Sequence, residues 1–133
     1  GAANRIWLKG DTSTVGISIW GDATNISFGT YNGTSHNTYA AHGISLGSWY
    51  CLTVTKTGTT GAWFKNGASL SLTAQDSVNP SSASAYATLI GTDTLANNRY
   101  YFDGIMGEMI IYNRALSASE VMQKYLATKW KYS

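Results

Sequence analysis

Phe102 to Glu120 reads FDGIMGEMIIYNRALSASE, and this run changes character halfway along. From Ile105 to Tyr112, Ile, Met and Tyr side chains fall at odd and even positions alike. That pattern predicts a β-strand covered on both faces, which places it inside a stacked pair of sheets. Asn113 and Arg114 break the run. Ser117 and Glu120 then have the spacing of a capping box, in which each side chain satisfies the other's free backbone N–H. Leu116 and Val121 stand at the positions of a hydrophobic staple. A helix is therefore predicted from about Ala118 to Lys129.

Working outward, short alternating runs fill the rest of the chain. Arg5 to Lys9 is an apolar run around Ile6, Trp7 and Leu8. Val15, Ile17 and Ile19 alternate with Gly16, Ser18 and Trp20, the period of a strand. Ile26 to Tyr31 alternates again, and Thr38 to Ala41 follows. Trp49 to Lys56 is a strand with Tyr50, Leu52 and Val54 on one side. Ala62 to Lys65 and Ala68 to Thr73 flank Asn66-Gly67, and Asn32-Gly33 is the other two-residue hairpin signal. Ala74 to Ala85 reads as a loop, Ala87 to Gly91 as a strand and Leu95 to Tyr100 as a polar loop. The expected class is all-β: an antiparallel β-sandwich with one C-terminal helix. Ile17, Leu52, Val54, Leu89, Met109 and Ile111 are its expected core, with the helix across an edge or end.

Composition narrows the function classes. The chain has 133 residues, enough for one domain that buries a real core. Charged residues are 12% and the net charge is +2. No basic stripe is interleaved with aromatics, which argues against nucleic acid. No apolar run is long enough for membrane insertion. Cys51 is the only cysteine, so no intrachain disulfide forms, and it reads as a small buried residue in a strand. Gly1-Ala2-Ala3-Asn4 shows neither an initiator Met nor a leader, as expected of a processed product or part of something longer.

Several of these residues together resemble a family. Phe102, Gly104, Met106, Glu108, Met109, Ile111, Tyr112, Asn113, Arg114, Ala115, Leu116, Ser117 and Glu120 are similar to the closing motif of laminin-G-like domains, with Gly107 where the family usually has Asp. These domains form part of the concanavalin A-like lectin/glucanase superfamily. Trp49 to Thr55 resembles the family's W-x-H-V-A-V-T strand, Phe64 to Gly67 its Y-V-N-G hairpin and Leu89 to Gly91 its L-x-I-G strand. Tyr125, Leu126, Lys129 and Trp130 match a Y-L-x-x-K-W helical ending. The resemblance implies a jelly roll, a single laminin-G-like domain over residues 1–133, truncated at its N-terminal side. Family members usually begin with further strands, the first of which lies beside the closing strand. Little of that is visible before Trp7, so the closing strand is expected to have an open edge.

The resemblance fits more than one chemistry, and the residues narrow it. Related glycosidases carry paired carboxylates on one strand, because residues two apart face the same way. No two of Asp11, Asp22, Asp76, Asp93, Asp103, Glu108 and Glu120 are two apart, so the chain is not expected to be an enzyme. No cofactor is demanded. Ca²⁺, which laminin-G-like domains often hold at the rim, has candidates in Asp22 with Asn25 or Asp93 with Asn97; the alternative is that these are turn residues bonding their own backbone. Five Trp and nine Tyr supply flat apolar faces of the kind sugar rings stack on. Trp20, Tyr31, Tyr39, Asn97, Asn98 and Arg99 are the glycan-binding candidates, against the alternative that the aromatics are core. His36 and His42 read as loop hydrogen-bonders.

Three readings follow. One is a lectin-like module for adhesion or glycan recognition on a surface-exposed assembly. Another is a structural domain, such as a virion decoration or tail-fibre domain, making protein–protein contacts. The third is a degenerate glucanase. The expected partners are glycans or other chains of a larger, oligomeric complex. The expected location is extracellular, at a cell surface or at a virion surface.

Overall fold

A computed structural model describes residues 4–11, 13–93 and 100–132. The strands are β1 (Asn4–Gly10), β2 (Val15–Gly21), β3 (Asn25–Asn32), β4 (Ser35–Ala41), β5 (Leu52–Thr57), β6 (Thr60–Lys65), β7 (Ala68–Ser69), β8 (Leu72–Ala74) and β9 (Thr88–Ile90). A helix, α1 (Ala118–Thr128), leads into a 3-10 turn over Lys129–Tyr132. All pairings are antiparallel. The larger sheet has six strands in the order β8-β4-β3-β2-β1-β9, and the smaller has β5-β6-β7. The all-β sandwich with one C-terminal helix is the fold read from the sequence.

Alternation along each strand decides what the sheets bury. Ile26, Phe28 and Ala40 project from the large sheet onto Trp63 of β6, and all four are buried. Ile17, Leu52 and Val54 pack against them but remain half-buried. Trp63 keeps its indole N–H satisfied by donating to the Thr38 carbonyl at 3.0 Å. Phe64 points the other way and meets Leu116 and Val121. The helix thus lies on the outer face of the small sheet rather than across an edge or end. The order of layers is large sheet, small sheet, helix.

The turns follow local chemistry. At Asn66-Gly67 both residues have positive φ, 52° and 80°, as a tight two-residue hairpin requires. Asn32-Gly33 differs: β3 runs through Asn32, and Gly33 at φ 100° begins the turn. The run Ala68 to Thr73 is divided, with β7 in the small sheet and β8 paired to β4 in the large one. Cys51 is half-buried and precedes β5, rather than being buried within it.

The largest departure is the closing segment. Residues 105–112 enter no sheet among the described residues. Met109 and Ile111, expected in the core, are 40% and 67% exposed, and Ile105 reaches 79%. A strand is stabilised by ladder bonds and cross-strand side-chain pairs, and among the described residues no neighbour supplies them. The edge expected to be open beside a closing strand is therefore the whole segment. It is tied down instead by Tyr132, whose hydroxyl accepts from the Glu108 N–H at 2.9 Å, and by Lys131 near Glu108. The Tyr132 ring also meets Trp49, with centroids 4.9 Å apart.

Candidate functional site

The face of the large sheet turned away from the core carries the aromatic candidates. Cross-strand register aligns Arg5 with Trp20, Trp20 with Ser27, and Ser27 with Tyr39. Trp20 and Tyr39 therefore stand on either side of a small residue. Strands lie about 4.8 Å apart, so their backbones are separated by roughly 9–10 Å. A flat ring touching a wall on each side at carbon contact distance needs about 7–8 Å. Trp20, Asp22, Asn25, Ser27, Asn37 and Tyr39 line a cleft of about 300 Å³ at this point. That is the lower end of the range for small-ligand sites.

Gly29 is why the wall at Trp20 can form. A Cβ there would lie 2.5 Å from the Tyr31 hydroxyl and 2.7 Å from Trp20 Cζ3, so both rings rest on the bare backbone. Tyr31 is buried, and its hydroxyl is 2.8 Å from Ser18 Oγ. It supports the floor beside the cleft and does not line it, which corrects its place among the glycan-binding candidates. On the other flank, the Arg5 guanidinium carbon is 5.2 Å from the Trp20 ring centroid. Arg5 is buried and paired to Asp93 at 3.3 Å, and among the described residues its Nε and Nη1 have no hydrogen-bond partner. A guanidinium over an indole face is an attractive contact, and here it fixes the ring from behind. Asn97, Asn98 and Arg99 lie outside the described residues.

Asp22 shapes the open end of the cleft. Its Oδ1 accepts the backbone N–H groups of Thr24 and Asn25, both at 2.8 Å, and the Thr24 hydroxyl at 3.2 Å. Those backbone N–H bonds, Thr24 first, hold its carboxyl below the usual range, so it is ionised at neutral pH. Ca²⁺ takes six to eight oxygens. Here the turn engages Oδ1, and among the described residues no three His, Cys, Asp or Glu side chains cluster. Asp93, the other Ca²⁺ candidate, faces Arg5.

Both histidines act as hydrogen-bonders. His42 Nδ1 accepts from the Ile44 N–H at 3.0 Å, while Nε2 faces the Asp22 carbonyl at 3.2 Å. His36 bridges Thr34 Oγ1 at 2.8 Å and Asp76 Oδ1 at 2.9 Å. The order hydroxyl, imidazole, carboxylate is that of an acyl-transfer triad. Thr34, however, is exposed on a hairpin turn and lines neither this cleft nor the second one.

That second concavity, about 420 Å³, lies between α1 and the closing segment. Sequence reading did not single it out. Its charged groups are already engaged: Arg114 binds Glu120, and Lys124 Nζ sits 5.8 Å from the Tyr112 ring centroid. Asn25, Ser27 and Asn37 complete the first cleft. Only Asn25 was noticed in sequence, because the other two become neighbours through β3–β4 register alone.

One solved structure matches with probability 1.00: residues 221–444 of an S-layer domain-containing protein from Clostridium thermocellum ATCC 27405. It is 20% identical with a TM-score of 0.50, and the match covers 93% of this chain and 63% of that one. The chain thus spans less than two thirds of that structure's length, and the likeness concerns the fold alone. No curated protein sequence matches. Among the described residues no helix is long and apolar enough to cross a membrane. The family model Laminin_G_3, described as concanavalin A-like lectin/glucanases superfamily, matches residues 1–122, and the chain belongs to that family.

Proposed function

We propose that this domain is a non-enzymatic lectin-like module that recognises a glycan in the Trp20–Tyr39 cleft. The observation that carries this is the cross-strand row Trp20–Ser27–Tyr39. Two aromatic side chains flank a small one, with Asp22, Asn25 and Asn37 at hand for hydroxyls. Apolar sugar faces take the aromatic walls, and the polar groups fix orientation. Membership in a superfamily that includes lectins supports the reading. So does the absence from the sequence of two carboxylates spaced two apart for hydrolysis. Adhesion at a cell surface or on an extracellular assembly is the setting we propose, in keeping with the S-layer domain-containing protein that shares the fold.

A glycan array probed with the native chain and with Trp20→Ala and Tyr39→Ala tests this. Binding by the native chain that both variants lose is the expected result. An array without hits, or hits that neither variant affects, would refute it.

The exposed closing segment favours a second role alongside the first. Ile105, Ile110 and Ile111 are 79%, 54% and 67% exposed on one continuous stretch. Contiguous apolar surface of this kind marks protein contacts. A structural place in a surface array or virion, with neighbouring chains against residues 105–112, fits that surface. Light scattering showing only monomer over a wide concentration range would remove this second role.

A further inference from the structure

Resting on the glycan-cleft reading, we propose that the cleft selects uncharged sugars and rejects acidic ones, with Asp22 as the discriminating group. Trp20, Asn25, Ser27, Asn37 and Tyr39, the other lining residues, carry no formal charge. Asp22 is ionised, because its turn donates two backbone N–H groups to Oδ1.

Among the described residues, His42, Arg5 and Lys65 are the nearby groups that could offset that charge; none lines the cleft, and Lys65 Nζ is held by the Gly43 carbonyl at 3.0 Å. His42 braces the same turn: its Nδ1 accepts the Ile44 N–H at 3.0 Å and its Nε2 lies 3.2 Å from the Asp22 carbonyl, so both ring nitrogens are engaged by backbone groups. The ring is not part of the cleft lining. Arg5 is near Trp20, but it is 7% exposed, faces Asp93 and does not line the cleft. Its charge is matched by a partner and stands behind the indole. Among the described residues that line the cleft, the only formal charge is that one carboxylate.

A carboxylate can accept hydroxyl hydrogens, so a neutral sugar's O–H groups are suited to Asp22. A uronic acid or sulfated sugar brings a second negative charge into a cleft whose described lining residues supply no cation, and like-charge juxtaposition across an interface is costly. The discrimination arises from repulsion of the wrong ligand as much as from attraction of the right one.

Matched oligosaccharides that differ only at C6 test the idea. Cellohexaose and β-1,4-mannohexaose are compared with the β-1,4-glucuronan and β-1,4-mannuronan hexamers by titration calorimetry at low salt, using the native chain, Asp22→Asn and Tyr39→Ala. Asp22→Asn keeps Oδ1 as the turn acceptor, and thermal melting confirms its fold. The native chain should bind a neutral member at least about tenfold more tightly than its acidic counterpart, a difference of about 1.4 kcal/mol. Asp22→Asn should narrow that ratio to within about threefold, and raised salt should narrow it in the native chain. Acidic hexamers that bind as well as neutral ones, with Tyr39→Ala abolishing both, would overturn the charge selection and leave the glycan cleft standing. A ratio unchanged in Asp22→Asn would overturn Asp22's part in it. If neither class binds, or Tyr39→Ala changes nothing, the glycan cleft itself falls and the selection with it.

Discussion

Arg114 grips both oxygens of Glu120, Nη2 to Oε1 at 2.6 Å and Nη1 to Oε2 at 2.9 Å. The same carboxylate accepts the Ser117 N–H at 2.8 Å, and Ser117 Oγ accepts the Glu120 N–H at 3.3 Å. One side chain thus caps α1 and anchors the turn before it. Lys124 stands four residues on along the helix, but the guanidinium's planar fork matches a carboxylate bidentately and an ammonium does not.

Removing the other half of the cap should be measurable. Ser117→Ala loses the oxygen that satisfies the Glu120 N–H, and should cost about 0.5–2 kcal/mol. The readout is a lower denaturant midpoint at unchanged slope. An unmoved midpoint would place the start of the helix elsewhere.

The cap also makes stability depend on pH. Glu120 is drawn from 4.5 to about 2, first by the Arg114 hydrogen bond and then by the Ser117 N–H. A carboxyl depressed in the folded state contributes stability that is complete above its unfolded value. That contribution is lost as the pH falls toward the folded one. The window is therefore pH 4.5 down to about 2. The native chain should lose more stability across it than Glu120→Gln does. Parallel curves for the two proteins would contradict the assignment.

The floor of the cleft offers two substitutions with different signatures. Tyr31→Phe leaves Ser18 Oγ, in a residue of 0% exposure, without its hydroxyl partner. An orphaned buried polar group costs about 1–3 kcal/mol. Gly29→Ala drives a methyl to within 2.5–2.7 Å of the Tyr31 hydroxyl and Trp20 Cζ3. It should cost a similar amount, about 1–3 kcal/mol by overpacking, and should also shift Trp fluorescence and weaken glycan binding. Gly29→Ala losing stability but keeping native glycan affinity would show that Trp20 does not form the wall.

Much of the sandwich was legible because β2 and β3 alternate and end at turn residues. Val15 to Trp20 and Ile26 to Tyr31 were found within a residue at each end. The capping box was legible for the same reason, being local chemistry. What failed was non-local. Leu72 to Ala74 joins the large sheet because β4 is there to receive it, which nothing between Ala68 and Thr73 announces. Trp20, Asp22, Asn25 and Tyr39 were each singled out, but as residues beside loops. Their convergence depends on a register that pairs Ser27 with both aromatics. Tyr31 was misplaced because its partner, Ser18, lies thirteen residues away.

The absence of a spaced carboxylate pair yields a negative expectation. The purified chain should release no reducing sugar from β-glucans. Turnover that survives repurification and disappears in Glu108→Gln would overturn it, since Glu108 lies on the closing segment where the family resemblance is strongest.

Residues 105–112 give the sharpest contrast between pattern and structure. Read by periodicity, Ile111 is core, and a charge there should unfold the domain. In the structure it is 67% exposed, and surface substitutions away from special features stay within about ±0.5 kcal/mol. Ile111→Asp should therefore leave the isolated chain's denaturant midpoint nearly unchanged. Phe64, buried at 5% between the small sheet and α1, is the control: Phe64→Ala should cost about 3–5 kcal/mol. If another polypeptide covers the segment in an assembly, Ile111→Asp should abolish the higher species in light scattering while leaving the monomer's stability alone. A large loss of stability in Ile111→Asp at monomer concentrations would mean that the closing segment is packed within the domain.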